Sequence, residues 1–230
     1  MKTLVSNSVK GVTMKTIIDD GFAPWLVDGA TFEDGYPIIE PLPETVPFPT
    51  KLIPVDKLNK VDSTNGFAHF YLADVRFRPF IANLPQRIDK LLQYDGVITP
   101  DFSIYRDAPE PVQIANVYRN RAVGSYMQRN GIPVITDVCW ADEPSYKFCF
   151  KGAPRRNIIS ISTVGIMTKT EERVVFRKGL DKMMEILEPT RVVVNGEMPE
   201  EFIEQYQSTT VFKAYPCWTR MMKEAANGSR

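Results

Sequence analysis

Three aspartates each close a short apolar run that reads as a β-strand: Asp74 after Phe70-Tyr-Leu-Ala, Asp101 after Val97-Ile-Thr-Pro, and Asp137 after Val134-Ile-Thr. Aspartate is depleted inside strands and costly to bury unpaired, so its recurrence at strand ends asks for a reason. Carboxylates gathered at one rim could hold a divalent metal through oxygen ligands, or divide into a general acid and a general base. The plainer alternative is that each caps the following helix or accepts backbone N–H bonds in its turn. Asp107, just ahead of Ala108-Pro109-Glu110, reads as such a cap.

Other strand ends add polar groups that could bind a substrate. Asp101 and Asp137 are the expected catalytic carboxylates, and Arg119 is expected to hold substrate charge or to pair with a rim aspartate. Asp74, Ser103, Tyr105, Asn116, Trp140, Ser162 and Asn195 are the expected substrate-binding groups, with Trp140 placed to stack on a ring. Arg121 and Arg129 lie farther round the same stretch and read as the solvated basic back of an amphipathic helix. His69, the one histidine, sits mid-strand and reads as a satisfied interior residue. A Cys139–His69 dyad is the minor alternative, and chemistry that needs two histidines is unavailable. Ser162-Thr-Val-Gly165 has one glycine and no Gly-Lys-Ser/Thr, so it is no P-loop; neither G-x-G-x-x-G nor G-x-S-x-G occurs. Glu197, Glu200 and Glu201 would repel a phosphate from the turn after Asn195.

The elements that would position these groups follow a regular rhythm from residue 66 onward. Strands are expected at Phe67–Ala73, Gly96–Pro100, Ile132–Cys139, Ile158–Val164, Arg191–Asn195 and Thr209–Tyr215. Between them the spacing predicts helices over Pro79–Tyr94, 110–129, a short piece near 143–149, 170–187 and from Pro199 to about Gln207, with a last helix over Trp218–Ala226. Thr168 with Glu171 reads as a capping box. Nearly all-apolar strands separated by helices mean a parallel sheet covered by helices, hence an α/β fold. Two closures fit, a compact irregular (β/α) barrel and an open doubly wound sheet. The barrel is preferred because Val97-Ile-Thr recurs as Val134-Ile-Thr, each with an aspartate just beyond. Two extended pieces, Tyr36–Glu40 and Leu52–Val55, could raise six strand–helix units to eight.

Residues 1–35 read as a lead-in, with a strand or hairpin around Thr16–Ile18, and residues 36–230 as one α/β domain. Five prolines between residues 41 and 54 forbid a helix or central strand there, so this segment should wrap the surface on apolar anchors such as Leu42 and Phe48. Met1-Lys-Thr recurs at Met14-Lys-Thr, which raises Met14 as an alternative start. Lysine plus arginine equals aspartate plus glutamate at 28 each, which withdraws the broad attraction that sequence-independent nucleic-acid binding uses. Three cysteines without a C-x-x-C pair suit reduced thiols. No apolar run is long enough for a membrane helix and no secretory signal is evident, so a cytoplasmic location is expected.

Between Pro100 and Asp142 the text becomes familiar. Pro100-Asp-Phe-Ser-Ile-Tyr105-Arg-Asp-Ala-Pro109, Asn116-Val-Tyr-Arg119-Asn-Arg121-Ala-Val-Gly124 and Gly131-Ile-Pro-Val-Ile-Thr-Asp-Val-Cys-Trp140 resemble the domain of unknown function 4417 family. Ile159-Ser-Ile-Ser162-Thr-Val-Gly165 and Val193-Val-Asn195-Gly196 continue the likeness, which covers about residues 36–215. The resemblance implies a phage or mobile-element setting, and host-cell cytoplasm with it. It supplies no mechanism. Members tend to read Ser-x-Ser-Trp where this chain has Asp137-Val-Cys-Trp140, so the likeness assigns Asp137 no role.

Two functions follow from these residues. One is a hydrolase-type barrel enzyme acting on a polar substrate with rim carboxylates, with or without a divalent metal. The alternative is a non-catalytic protein that engages a host protein, a nucleotide or nucleic acid. They part on geometry: convergence of Asp101 with a second carboxylate in a cleft favours the enzyme, and separate helix caps favour the binder.

Overall fold

Short apolar runs pair side by side in the order in which they occur along the chain. The computed structural model describes residues 23–227; the expected strand around Thr16–Ile18 and the Met14 repeat lie outside them. A small antiparallel hairpin, β1 (Phe32–Glu33) with β2 (Tyr36–Pro37), precedes one seven-stranded parallel sheet. Its strands are β3 (Leu52–Pro54), β4 (Phe67–His69), β5 (Gly96–Ile98), β6 (Val134–Asp137), β7 (Ile158–Ser162), β8 (Arg191–Asn195) and β9 (Val211–Tyr215). Each strand pairs with the one before it, from β3 at one edge to β9 at the other.

That order decides the shape. A doubly wound sheet reverses direction at a switch point, whereas seven sequential strands keep winding one way and leave their helices on one face. The sheet accordingly curls into a half-barrel. Its covering helices are α1 (Asp74–Ala82), α2 (Ile88–Leu91), α3 (Glu110–Arg129), α4 (Thr170–Leu187), α5 (Glu200–Ile203) and α6 (Trp218–Asn227). Side-chain alternation splits the strands between two environments. Ala68, Val97 and Val134 pack with Phe77, Leu91 and Met127 under α1–α3. Ile159, Val192 and Val194 pack with Phe176, Leu180 and Met183 under α4.

The other face is the concave one. Leu52, Phe67, Ile98, Ile135, Ile158 and Val193 form a separate cluster there with Leu42, Val46 and Phe48. The proline-rich segment is thus ordered, and its apolar anchors Leu42, Val46 and Phe48 pack into the hollow of the half-barrel. Asn157 fixes it with a reciprocal pair of bonds, Leu42 N–H donating to Asn157 Oδ1 at 3.0 Å and Asn157 Nδ2 to the Leu42 carbonyl at 2.8 Å. Tyr215 Oη donates to the Pro49 carbonyl at 2.6 Å. Proline-rich backbone has few N–H donors of its own, so its carbonyls take donors from the strands.

Several expectations need correction. The sheet has seven strands; the expected eighth, at Tyr36, belongs to the separate hairpin. The helix expected over Pro79–Tyr94 starts five residues earlier, at Asp74, and is broken: α1 ends at Ala82, a 3-10 turn covers Leu84–Arg87, and α2 follows. Asn83 Nδ2 donates to the Pro79 carbonyl at 2.8 Å at the break, and Pro85 opens the next turn, where a missing N–H costs nothing. The apolar spacing still marked buried positions, since Leu84, Ile88 and Leu91 are all in the core, while Leu92 is exposed. The capping box does not form, because α4 begins at Thr170 after Lys169 with no side-chain cap. Asp107 is not a cap either; α3 starts behind Pro109, and Gln113 Nε2 reaches back to the carbonyls of Tyr105 and Ala108, both at 3.0 Å.

The largest departure is Arg121, expected on a solvated helix back and found among the most buried side chains of the protein. Its Nε donates to the Lys151 carbonyl at 2.8 Å, Nη2 to Cys149 at 2.8 Å, and Nη1 to Asp137 at 3.0 Å and to Asn120 Oδ1 at 2.5 Å. Arg129 does lie on the exposed side, where it donates to the carbonyls of Leu26 and Asp28. Among the described residues no helix is long and apolar enough to cross a membrane. Replacing Arg121 by Met keeps the volume but takes the donor from the Cys149 and Lys151 carbonyls and one of two donors from that of Asp137. We expect Arg121→Met to lose about 3 kcal/mol or more of unfolding free energy in guanidinium titrations.

Candidate functional site

At the carboxyl end of the sheet, β5 runs out through Thr99 and Pro100 to Asp101, and neighbouring β6 ends at Asp137. Two residues further along the same extended segment comes Cys139, on the same side as Asp137. One carboxylate oxygen of Asp101, one of Asp137 and Cys139 Sγ all lie within 4.8 Å of one another. These acids therefore share a single mouth.

Asp137 is 1% exposed and is held on three sides. Its N–H donates to Thr99 Oγ1 at 2.7 Å, its carbonyl accepts from Arg121 and Asn120, and its Oδ1 accepts from Tyr71 Oη at 2.7 Å. The same Tyr71 hydroxyl stands 2.6 Å from Ser160 Oγ, so a single phenol ties β4's exit to β6 and β7. The second oxygen, Oδ2, is buried without a hydrogen-bond partner. Such an atom is rare in native proteins and marks an unmet demand.

The electrostatics follow from this enclosure. Burial, and then the Asp74 charge, push the Asp101 carboxyl up to about 6, against an ordinary 3.8. Burial and then Asp101 hold Asp137 well above the carboxylate range, although the Tyr71 hydrogen bond and Arg121 pull the other way. The Cys139 thiol is also driven well above its usual value, first by burial and then by the two aspartates. His69 is nearly buried, accepts from the Tyr71 N–H at 3.1 Å through Nδ1, and is pulled down by burial to about 3. It is a neutral acceptor, as a satisfied interior histidine should be.

Helix α3 sets the loop that carries Asp101. Asn120 Nδ2 donates to the Pro100 carbonyl at 2.7 Å, and Asn116 Nδ2 to the Ser103 carbonyl at 2.7 Å. Ser103 Oγ in turn donates to Asp74 Oδ1 at 2.9 Å, which brings the first residue of α1 beside the loop. Asn195 Nδ2 donates to Ser162 Oγ at 3.1 Å across the ends of β7 and β8. Trp140 packs against Phe176 with ring centroids 5.3 Å apart, over Gly179, where any Cβ would collide with the indole.

Two adjoining cavities open at this end. One, about 680 Å³, is lined by His69, Tyr71, Asp101, Ser162, Asn195 and Trp218 among others. The other, about 900 Å³, is lined by Asp101, Ser103, Tyr105, Cys139, Trp140 and Ser162 among others. Asp101 and Ser162 stand on the shared ridge. Asp137, Asp74, Asn116 and Arg119 line neither cavity. Among the described residues Arg119 pairs with no aspartate; its guanidinium donates to Asn116 Oδ1 at 3.2 Å. Tyr71 and Ser160 are the site residues that the sequence reading missed, together with Cys139 as a partner of the aspartates. The alternation Asp137-Val-Cys139 was the available signal, since residues two apart on extended backbone face the same way.

The profile of the Domain of unknown function (DUF4417) matches residues 33–216. The chain belongs to this family. The match contains Tyr71, Asp101, Asp137, Cys139 and Ser162, though not Trp218 at the rim of the first cavity, and agrees with the span carried by the quoted motifs. Two relatives are phage proteins: the "Gene 1 protein" of Mycobacterium phage L5, 35% identical over 58% of this chain and 58% of its own, and that of Mycobacterium phage D29, 31% identical over 71% of this chain and 60% of its own. This family member thus spans about three fifths of the length of the curated relatives it matches. No solved structure matches it.

A carboxyl whose folded pKa is raised binds its proton more tightly in the folded state. As pH climbs from about 3.8 to about 6 the unfolded chain loses the Asp101 proton first, so stability falls across that window and the loss is complete above it. In metal-free buffer, the stability gained by Asp101→Asn over the wild type should grow between these limits and level off beyond them. Denaturant midpoints measured at several pH values check this; a difference independent of pH would contradict it.

Proposed function

We propose that this protein is a hydrolase-type enzyme that acts on a polar substrate bound across the mouth of the half-barrel. The observation that carries the reading is the convergence of a partly exposed Asp101, which borders both cavities, on the buried Asp137. A carboxyl in a cleft whose ionisation burial and a like charge push up to about 6 is suited to acid–base work near neutral pH.

In this reading Asp101 is the catalytic residue and Asp137 a positioning residue, because only Asp101 lines the cavities. The ionised Asp101 takes a proton from a water molecule, and the water oxygen forms a bond to the electrophilic centre of the substrate. The bond to the leaving group breaks with its electron pair, and Asp101 returns the proton to that group. Asp137 stands behind Asp101, with a carboxylate oxygen within 4.8 Å of one of Asp101, and reaches neither cavity. Tyr105, Trp140, Ser162 and Asn195 offer the substrate hydrogen bonds and a ring face. The walls mix charges, since Arg76 is paired with Asp56 at the first cavity and Arg106 with Glu172 at the second, which suits a polar ligand better than a strongly anionic one.

The test is a panel of chromogenic esters, amides, glycosides and phosphodiesters, offered to wild type and Asp101→Asn. A substrate of the right class should be hydrolysed with kcat/KM rising through about pH 6, the value to which Asp101 is pushed. Asp101→Asn should lose about 10²–10⁴-fold of that activity. Turnover that survives the substitution, or no turnover across the panel, would count against the assignment.

A further inference from the structure

We infer that Asp101, Asp137 and Cys139 form a binding site for one thiophilic divalent cation of the zinc type. The inference deepens the hydrolytic reading by naming an ion at its centre, and it rests on that reading only for what the ion would do there.

Acids lying close together are not in themselves a site, so the argument starts from the atom that has no other explanation. Asp137 Oδ2 is buried and unpartnered, in a residue 1% exposed whose other carboxylate oxygen, N–H and carbonyl are all satisfied. A solvent-shielded carboxylate oxygen with nothing to accept from is costly, and a bound cation is one of the few things that removes the cost. The same carboxylate is one of three groups whose ligand atoms lie within 4.8 Å of one another.

Charge makes the same case. Among the described residues none of the three acids forms an ion pair, and the nearby Arg121 spends its donors on carbonyls and on Asn120. Two carboxyls and a thiol are thus packed together with no side-chain ion pair, Arg121 acting on them only through space, and a dication bound by all three would take up the protons they otherwise hold. Asp101 and Cys139 also border the cleft, whereas Asp137 approaches from below, so an ion held by all three keeps a face towards solvent.

The donor set selects the ion. Magnesium and calcium take oxygen ligands, and a thiolate in the set disfavours them. Sulfur with two carboxylates suits zinc, and three protein ligands with one open position is the arrangement of catalytic rather than structural zinc. Ligand atoms on a tetrahedral zinc stand about 3.5 Å apart, so closing on the ion asks for movements on the order of an ångström. Second-shell support is already present: Tyr71 holds Asp137 Oδ1, and Ser160 braces Tyr71. An ion in this place would make a water in its open position a stronger acid.

The experiment uses the full chain, stripped with a chelator and kept reduced with a phosphine. Zinc and cobalt are titrated by calorimetry, and cobalt also by absorption. We expect one ion per chain and a thiolate-to-cobalt charge-transfer band in the near ultraviolet. Cys139→Ser should abolish that band, and Asp137→Asn should weaken zinc binding on the order of a hundredfold, while Cys217→Ser leaves both unchanged. Circular dichroism establishes that each variant is folded. Failure of the wild type to take up either ion, persistence of the band in Cys139→Ser, or tighter binding of magnesium than of zinc would each overturn the site. None of these readouts depends on turnover. Conversely, chelated protein that still hydrolyses a substrate through Asp101 would retain the proposed activity while refuting the ion's part in it.

Discussion

The mouth of the half-barrel depends on one buried cation. Arg121 collects the carbonyl that ends β6, two carbonyls from residues 149 and 151, and the amide oxygen of Asn120. Asn120, so oriented, holds the Pro100 carbonyl at the end of β5. A guanidinium suits this place because its planar fork of donors can satisfy several fixed acceptors at once without being deprotonated. Strand ends are where backbone carbonyls lose their ladder partners. Here α3 replaces those partners from inside the structure, which lets two aspartates leave adjacent strands at fixed positions.

The parts of the fold legible in sequence were those governed by periodicity. Continuous apolar runs marked the strands from β4 to β9, and their recurrence between helical stretches marked a parallel α/β architecture. What periodicity did not show was where tertiary demands override it. Arg121 has the polarity of a surface residue, and only the converging carbonyls of β6 and the 149–151 turn make its burial favourable. The segment after β4 carries helical apolar spacing throughout, yet it breaks at Asn83, ahead of Pro85, into pieces that bury the same side chains. Thr168 and Glu171 have capping-box spacing, but the chain turns between Thr163 and Lys169 and starts α4 too late to use it.

The candidate site divides along similar lines. Strand-end position brought out Asp101 and Asp137, because topology gathers strand ends whatever the residues are. Position alone did not distinguish residues that face the cleft from those that brace it. Asn116 and Asn120 act on carbonyls of the Asp101 loop, and Asp74 reaches the site through Ser103. Arg119 was expected to face an aspartate and instead turns along its own helix to Asn116, one turn earlier. Tyr71 escaped notice because a tyrosine after a strand is ordinary; its importance comes from a hydroxyl that meets Asp137, 66 residues away in sequence.

The segment that fills the hollow of the half-barrel has a kinetic consequence. Its bonds join residues 115 apart at Leu42 and Asn157 and 166 apart at Pro49 and Tyr215, so they reward the chain only once the later strands are in place. During synthesis Leu42 and Phe48 emerge early and then wait, still wet, for partners from β7 and β9 that the ribosome has yet to make. Local strand–helix units can form meanwhile. Sequence separations of this size place the closing of the hollow at the costly end of loop closure.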